Sequence, residues 1–317
     1  ATVLAEIERR TGKKISELFD VIAGTSTGGF QSLLLVAPGK SGSRYTAQEI
    51  VELYFHHSKD LFHKSFWYTL KTLDGILAPK YPSASVMGVF EKYLGYAELK
   101  DAVTQVLVTC YDTDTHQLRI FTKQKAQADP KFNFQMSQAA RATTALPVAF
   151  PAAEIRSVDG SAVYHVVDGG LGAMNPVVLA LEDAVIVEGS RLSETLVVSL
   201  GTGEFDQPLP FQKMQGWGLW QWMRGFLLMD LLWESMAHVA TLEAQRAANP
   251  DNFFRFQAAL PAELFKSDLT APKDLQALQA AGNNMLEQNK ERFEKLLELL
   301  CEGNSQAAAA GSGKAAR

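Results

Sequence analysis

Cysteine is scarce: the 317 residues include two, Cys110 and Cys301, far apart and in no metal-ligand or redox spacing. A disulfide framework is therefore excluded as the organising device. Neither charge dominates, with 30 Lys and Arg against 35 Asp and Glu for a net charge of −5, and no basic run stands out. The electrostatic footprint of a nucleic-acid binder is missing, so no nucleic-acid partner is expected. Long hydrophobic runs are missing too. The longest apolar stretch, Gly216 to Val239, is broken by Gln221, Arg224, Asp230, Glu234 and His238, which makes it a poor membrane span. No basic-then-apolar leader pattern opens the sequence, and no segment repeats.

What is present is the composition of an ordinary globular protein, 47% hydrophobic and 21% charged, with ample material for a core. These features leave the compartment undecided between a soluble, cytoplasmic location and a peripheral membrane one. Along the chain, Ala1 to Arg10 reads as a helix, with Leu4 and Ile7 on one face and Gly12 in the C′ position. Phe19 to Ala23 is a short apolar run that enters Gly24-Thr25-Ser26-Thr27-Gly28-Gly29, and Phe30 to Val36 is apolar over helical length. That order spells strand, tight turn, helix. Thr46-x-x-Glu49 predicts a capping box opening a helix to about Lys59, and Ser83 an N-cap for a helix ending near Gly95. Between them, 62–82 is aromatic, proline-interrupted and expected to be irregular.

Gln105 to Tyr111 and Gln117 to Thr122 read as a hairpin around Asp112-Thr113-Asp114-Thr115. Gln135 to Leu146 reads as a helix stopped by Pro147, and Val163 to Val167 and Thr195 to Leu200 as strands with a helix at Val177 to Glu188 between them. Strands alternating with helices predict an α/β fold with a mostly parallel central sheet. After Gly203 the pattern is helical only.

Gly24-x-Ser26-x-Gly28 matches the nucleophile elbow, where a serine sits on a strained strand-to-helix turn and flanking glycines allow close backbone approach. The following helix N-terminus favours developing negative charge, and the Thr27 amide is placed to donate to an oxyanion. A Gly/Ser turn that binds phosphate is the plainer reading of the same residues. The hydroxyl needs a base. Of the six histidines, His56, His57, His63, His116, His165 and His238, only His238 follows the best acid candidate, and it sits in an apolar helical stretch. Asp168, in Val166-Val167-Asp168-Gly169-Gly170, is better placed: it ends a strand where two glycines let the chain turn. A carboxylate needs direct contact and desolvation to serve as a base near neutral pH.

These residues in this order resemble the patatin-like phospholipase family. The nucleophile block Gly24 to Gly29 is joined by Ala140-Arg141-Ala142-Thr143-Thr144-Ala145-Leu146-Pro147 with Phe150-Pro151, by Asp168-Gly169-Gly170 with Asn175-Pro176, and by Ser199-Leu200-Gly201-Thr202-Gly203. The resemblance covers roughly residues 1–203. It implies a three-layer α/β/α fold and a lipid acyl hydrolase that uses a Ser-Asp dyad without histidine, carried here by Ser26 and Asp168. Gly24, Thr27 and Gly28 then form the elbow and oxyanion side, with Gly169, Gly170 and Arg141 supporting. The substrate implied is a glycerolipid or phospholipid, and the dyad chemistry requires no cofactor and no metal. Family members also carry a first strand and an Asp-Gly-Gly-Gly-x-Arg-Gly loop just before the helix seen at Ala1 to Arg10, and that loop supplies oxyanion amides. It does not occur in this sequence, so a longer gene product bearing it is expected. A catalytically impaired fragment, or a lipid-binding or storage scaffold that keeps the fold, is the alternative.

The expected organisation is a catalytic core at 1–203, a helical extension packing on it at 204–303, and a disordered low-complexity tail at 304–317. Trp217, Trp220, Trp222 and Trp233 suit either a membrane interface and acyl-chain lid or burial against the core. Arg141 suits either the site, which it could brace or where it could bind a lipid phosphate, or a structural ion pair to an acid. Cys110, inside an apolar strand, reads as a core thiol.

Overall fold

A computed structural model describes residues 1–63, 72, 77–205, 209–223, 227–261, 263–264 and 269–314. The opening amphipathic pattern forms α1 (Thr2–Thr11), which buries Val3 and Ile7 and ends where Gly12, at φ 68°, donates its N–H to the Glu8 carbonyl. β1 (Val21–Gly24) leads through Thr25 and Ser26 into α2 (Thr27–Val36), whose Phe30, Leu33, Leu34, Leu35 and Val36 are all buried. α3 (Ala47–Leu61) opens on the expected capping box, with the Thr46 hydroxyl and the Glu49 carboxylate each accepting the other residue's backbone N–H. Ser83 begins α4 (Ser83–Leu94) as its first helical residue, because the extended Pro82 takes the cap position. Most of the segment expected to be irregular, 64–71 and 73–76, lies outside the described residues.

β2 (Gln105–Asp112) is the hub of the main sheet. It pairs in parallel with β1, and antiparallel with β3 (Gln117–Thr122) and β5 (Val163–Asp168), while β4 (Ala153–Arg156) adds antiparallel to β5. Helices including α2 and α5 (Met136–Thr143) cover the sheet in the three-layer α/β/α arrangement expected, with a helical C-terminal portion. The sheet is mixed, where a mostly parallel one was expected. The links β2 to β3 and β4 to β5 are too short for a crossover and can join only antiparallel neighbours. One consequence positions the site. β3 overlaps both β1 and β5 along β2, so β1 and β5 must share the other edge of β2 and approach each other from opposite directions. β1 ends opposite Val108 and β5 opposite Cys110.

Past α6 (Val177–Glu188), β6 (Val197–Leu200) pairs in parallel with β8 (Phe253–Phe256), and β7 (Glu204–Phe205) with β9 (Ala259–Leu260). The expectation of helices alone after Gly203 is therefore corrected: Phe253-Phe254-Arg255-Phe256 is a strand of aromatic, β-favouring residues too short to display an alternating pattern. α7 (Leu227–Ala247), α8 (Pro272–Gln288) and α9 (Lys290–Lys314) complete the chain. Phe254, Phe256, Met285, Leu286, Phe293, Leu296 and Leu300 belong to the same buried cluster as Val3, Ile7, Phe30 and Val108. Residues after 203 thus build part of the core itself, and Arg10 grips Glu294 through two hydrogen bonds of 3.0 and 2.7 Å. α9 runs to Lys314 through the tail expected to be disordered, where an alanine run favours helix; 315–317 lie outside the described residues. Among the described residues β1 and β6 each pair with a single strand, and both line one cleft of about 2230 Å³ that also holds Ser26 and Asp168.

Candidate active site

The turn from β1 into α2 forces Ser26 into φ 55°, ψ −127°. A non-glycine residue in that region costs on the order of 1–3 kcal/mol and persists only where its surroundings over-determine it. Two nearby glycines show how. A Cβ on Gly24 would lie 2.2 Å from the Gly28 carbonyl oxygen, and one on Gly29 would lie 2.9 Å from the Thr143 side chain. Strand end, helix start and Thr143 therefore interlock at backbone distance. Gly28 differs, since a Cβ there would meet nothing within 4 Å, and this glycine of the elbow faces open space.

The two strand ends that meet on β2 bring the predicted pair together. Ser26 Oγ donates to Asp168 Oδ2 at 2.6 Å, and Asp168 Oδ1 accepts the Gly170 N–H at 2.8 Å. Asp168 is 2% exposed. Burial pushes its pKa up to about 6, against the pull of the Ser26 and Gly170 hydrogen bonds, which favour the charged form. The turn after it needs its glycines: a Cβ on Gly169 would sit 2.3 Å from Thr109 Oγ1, and one on Gly170 would sit 3.1 Å from Asp168 Oδ1.

Ser26 spends its hydroxyl on Asp168 and does not cap α2. The first amides of a helix have no acceptor within it, so the Thr27 and Gly28 N–H groups stand beside Ser26 at the positive end of the helix dipole. Three threonines that the sequence analysis did not single out as site residues support this turn. Thr143 Oγ1 accepts the Ser26 N–H at 2.8 Å. Thr25 Oγ1 gives its proton to the Ala173 carbonyl at 2.7 Å, so Thr109 is the donor in the 2.7 Å Thr25–Thr109 contact. Thr143 lies within the Ala140 to Pro147 block, which was the one available signal; Thr25 and Thr109 look like ordinary turn and strand residues.

Other candidates fall elsewhere. Arg141 is buried, donates to the Pro151 carbonyl at 2.6 Å and has no carboxylate partner among the described residues, so neither the ion pair nor contact with Ser26 is observed. Its burial pulls its pKa below the ordinary arginine value. His238 lines the cleft from α7, but Ser26 Oγ bonds the Asp168 carboxylate and no histidine among the described residues. Cys110 is fully buried opposite Asp168 in the β2–β5 register, and burial raises its thiol pKa, which keeps it protonated. Trp233 lines the cleft, while Trp220 is 76% exposed on a short helix at Leu219–Met223. Arg224, which interrupts that stretch, lies outside the described residues. No described helix is long and apolar enough to cross a membrane. No group of three or more His, Cys, Asp or Glu side chains among the described residues could hold a metal ion.

The chain is similar to known proteins. The chain is 27% identical to Patatin-like protein 4 of Arabidopsis thaliana over 315 residues, covering 92% of this chain and 78% of that protein. It is 27% identical to Patatin-07 of Solanum tuberosum, covering 93% and 81%. The same identity relates it to a Solanum tuberosum protein named "Probable inactive patatin-3-Kuras 1", over 93% of this chain and 84% of that one. The family model for patatin-like phospholipases matches residues 1–181, more than half of the sequence, and by that match the chain belongs to the patatin-like phospholipase family.

Proposed function

We propose that the chain is a lipid acyl hydrolase that cleaves glycerolipid or phospholipid esters through an acyl-enzyme on Ser26, with Asp168 as the single acid and base. The observation that carries this reading is the 2.6 Å hydrogen bond from Ser26 Oγ to a carboxylate that burial has made more basic than an ordinary aspartate. As Oγ attacks the ester carbonyl, its proton passes to Asp168 Oδ2, and the developing oxyanion faces the Thr27 and Gly28 amides. Asp168 then gives the proton to the leaving alcohol. Water attacks the acyl group by the same route in reverse, and Asp168 returns the proton to Ser26. Gly28 carries no side chain where the ester must approach, which fits this path. A Gly-rich loop ahead of α1 would add amides to the same cleft, and the singly paired edges of β1 and β6 that line it support a place for one. The exposed Leu219 and Trp220 support contact with a lipid surface.

Fatty-acid release from mixed phospholipid vesicles tests the reading, with Ser26→Ala as the blank and a second preparation carrying such a loop. Ser26-dependent release from either preparation is the expected result. Its absence from both would leave a lipid-binding or storage scaffold, the reading that kinship with a relative named "Probable inactive" favours.

A further inference from the structure

The last residue of α5 and the stretch just after it hold both members of the pair. Thr143 Oγ1 accepts the Ser26 backbone N–H at 2.8 Å, and two residues later the Ala145 carbonyl accepts the Asp168 backbone N–H at 3.0 Å. Thr143 and Ala145 are fully buried, so neither bond competes with water. The Thr143 side chain is also seated so closely on α2 that only a glycine fits at position 29. Ser26 and Asp168 stand on different strands, 142 positions apart in sequence. They share no covalent neighbour that could fix their separation.

We infer that Thr143 is a positioning residue of the dyad, and that 143–145 acts as a clamp setting the Ser26–Asp168 distance from one rigid stretch of chain. Two consequences follow. The Ser26 N–H is committed to Thr143, which leaves the oxyanion to the amides of Thr27 and Gly28. The bond also ties the strained Ser26 backbone to a helix none of whose residues lines the cleft, so its loss changes where Oγ points. This inference rests on the hydrolase reading for its catalytic meaning and on the hydrogen-bond geometry for its structural one.

Thr143→Val keeps the shape and removes the acceptor, whereas Thr143→Ser keeps the acceptor and removes a methyl group. Both are compared with wild type for Ser26 labelling by a fluorophosphonate and for turnover of a soluble p-nitrophenyl ester. Misplacement by a fraction of an ångström to an ångström slows a positioned nucleophile by about 10- to 100-fold, the drop expected in kcat and labelling rate for Thr143→Val, with KM within about twofold. Thr143→Ser should stay within about threefold of wild type. Amide exchange in the native wild-type protein supplies an arm independent of activity, in which the Ser26 N–H exchanges far more slowly than that of Thr27. The inference is overturned if Thr143→Val labels and turns over as wild type does, or if the Ser26 amide exchanges as fast as the Thr27 amide. Should Thr143→Val fail to fold, the exchange rates and Thr143→Ser decide. No Ser26 chemistry in either the wild-type chain or the preparation carrying the Gly-rich loop would end the hydrolase reading, and the exchange rates would still decide the clamp.

Discussion

Replacing Asp168 by Asn should abolish turnover and yet stabilise the protein at neutral pH. Burial raises the folded-state pKa from an ordinary aspartate's 3.8 to about 6. The fold therefore favours the protonated form, and its contribution to stability is fully present below pH 3.8 and is lost as pH rises through about 6. At roughly 1.4 kcal/mol per pH unit, that gap amounts to about 3 kcal/mol withheld from the wild type at neutral pH. Because Asp168 is 2% exposed, solvent screening takes little of it. Asn is neutral at every pH, keeps an oxygen for the Gly170 N–H and offers an amide to Ser26 Oγ. Urea unfolding of both proteins across pH 4 to 8 measures the difference directly. Asp230 on α7 is also pushed up to about 6, chiefly by burial and then by Glu234, but it is common to both proteins and cancels. The variant should gain up to about 3 kcal/mol over wild type above pH 7, a gain that shrinks toward pH 4. A variant less stable than wild type at pH 7.5, or a difference that ignores pH, would refute the idea that the site stores this cost.

In the wild type, kcat/KM on a soluble ester should fall about tenfold for each pH unit below the Asp168 pKa of about 6 and level off above it, as read from a pH–rate profile. Gly24→Ala would drive a methyl group to 2.2 Å from the Gly28 carbonyl oxygen, at a cost of about 3 kcal/mol or more because the obstacle is backbone; a urea midpoint equal to wild type would contradict the packing. Trp220→Ser removes an indole that is 76% exposed and should weaken vesicle binding about tenfold, measured by sedimentation with liposomes, while hydrolysis of a soluble ester is unchanged.

The local elements were legible because their signals are short-range. Gly12 closing α1, the Thr46 and Glu49 box, and the glycines around Ser26 each express a backbone constraint within a few residues. The β2–β3 hairpin was legible from its turn residues, but the direction of β5 was not, since alternating strands and helices say nothing about a strand that runs antiparallel to both β2 and β4. β8 was hidden because four residues cannot establish a period, and its partner β6 lies more than fifty positions earlier. Ser26 and Asp168 could be named from their flanking glycines, but the Thr143 to Ser26 bond depends on α5 packing against α2, a tertiary fact with no local trace. Arg141 shows the converse, a charged residue whose type suggested an ion pair and whose position gave it a carbonyl.

The sharing of one core by the first and last helices also bears on synthesis. α1 packs on α8 and α9, and Phe293, Leu296 and Leu300 fill the same interior as Val3 and Ile7. A nascent chain therefore carries α1 and α2 out of the ribosome long before the C-terminal residues that share their core exist. At about 5–20 residues per second, this leaves their apolar faces bare for on the order of 15–60 s. Expression temperature and chaperone supply, more than any property of the finished site, should govern how much folded material a cell makes.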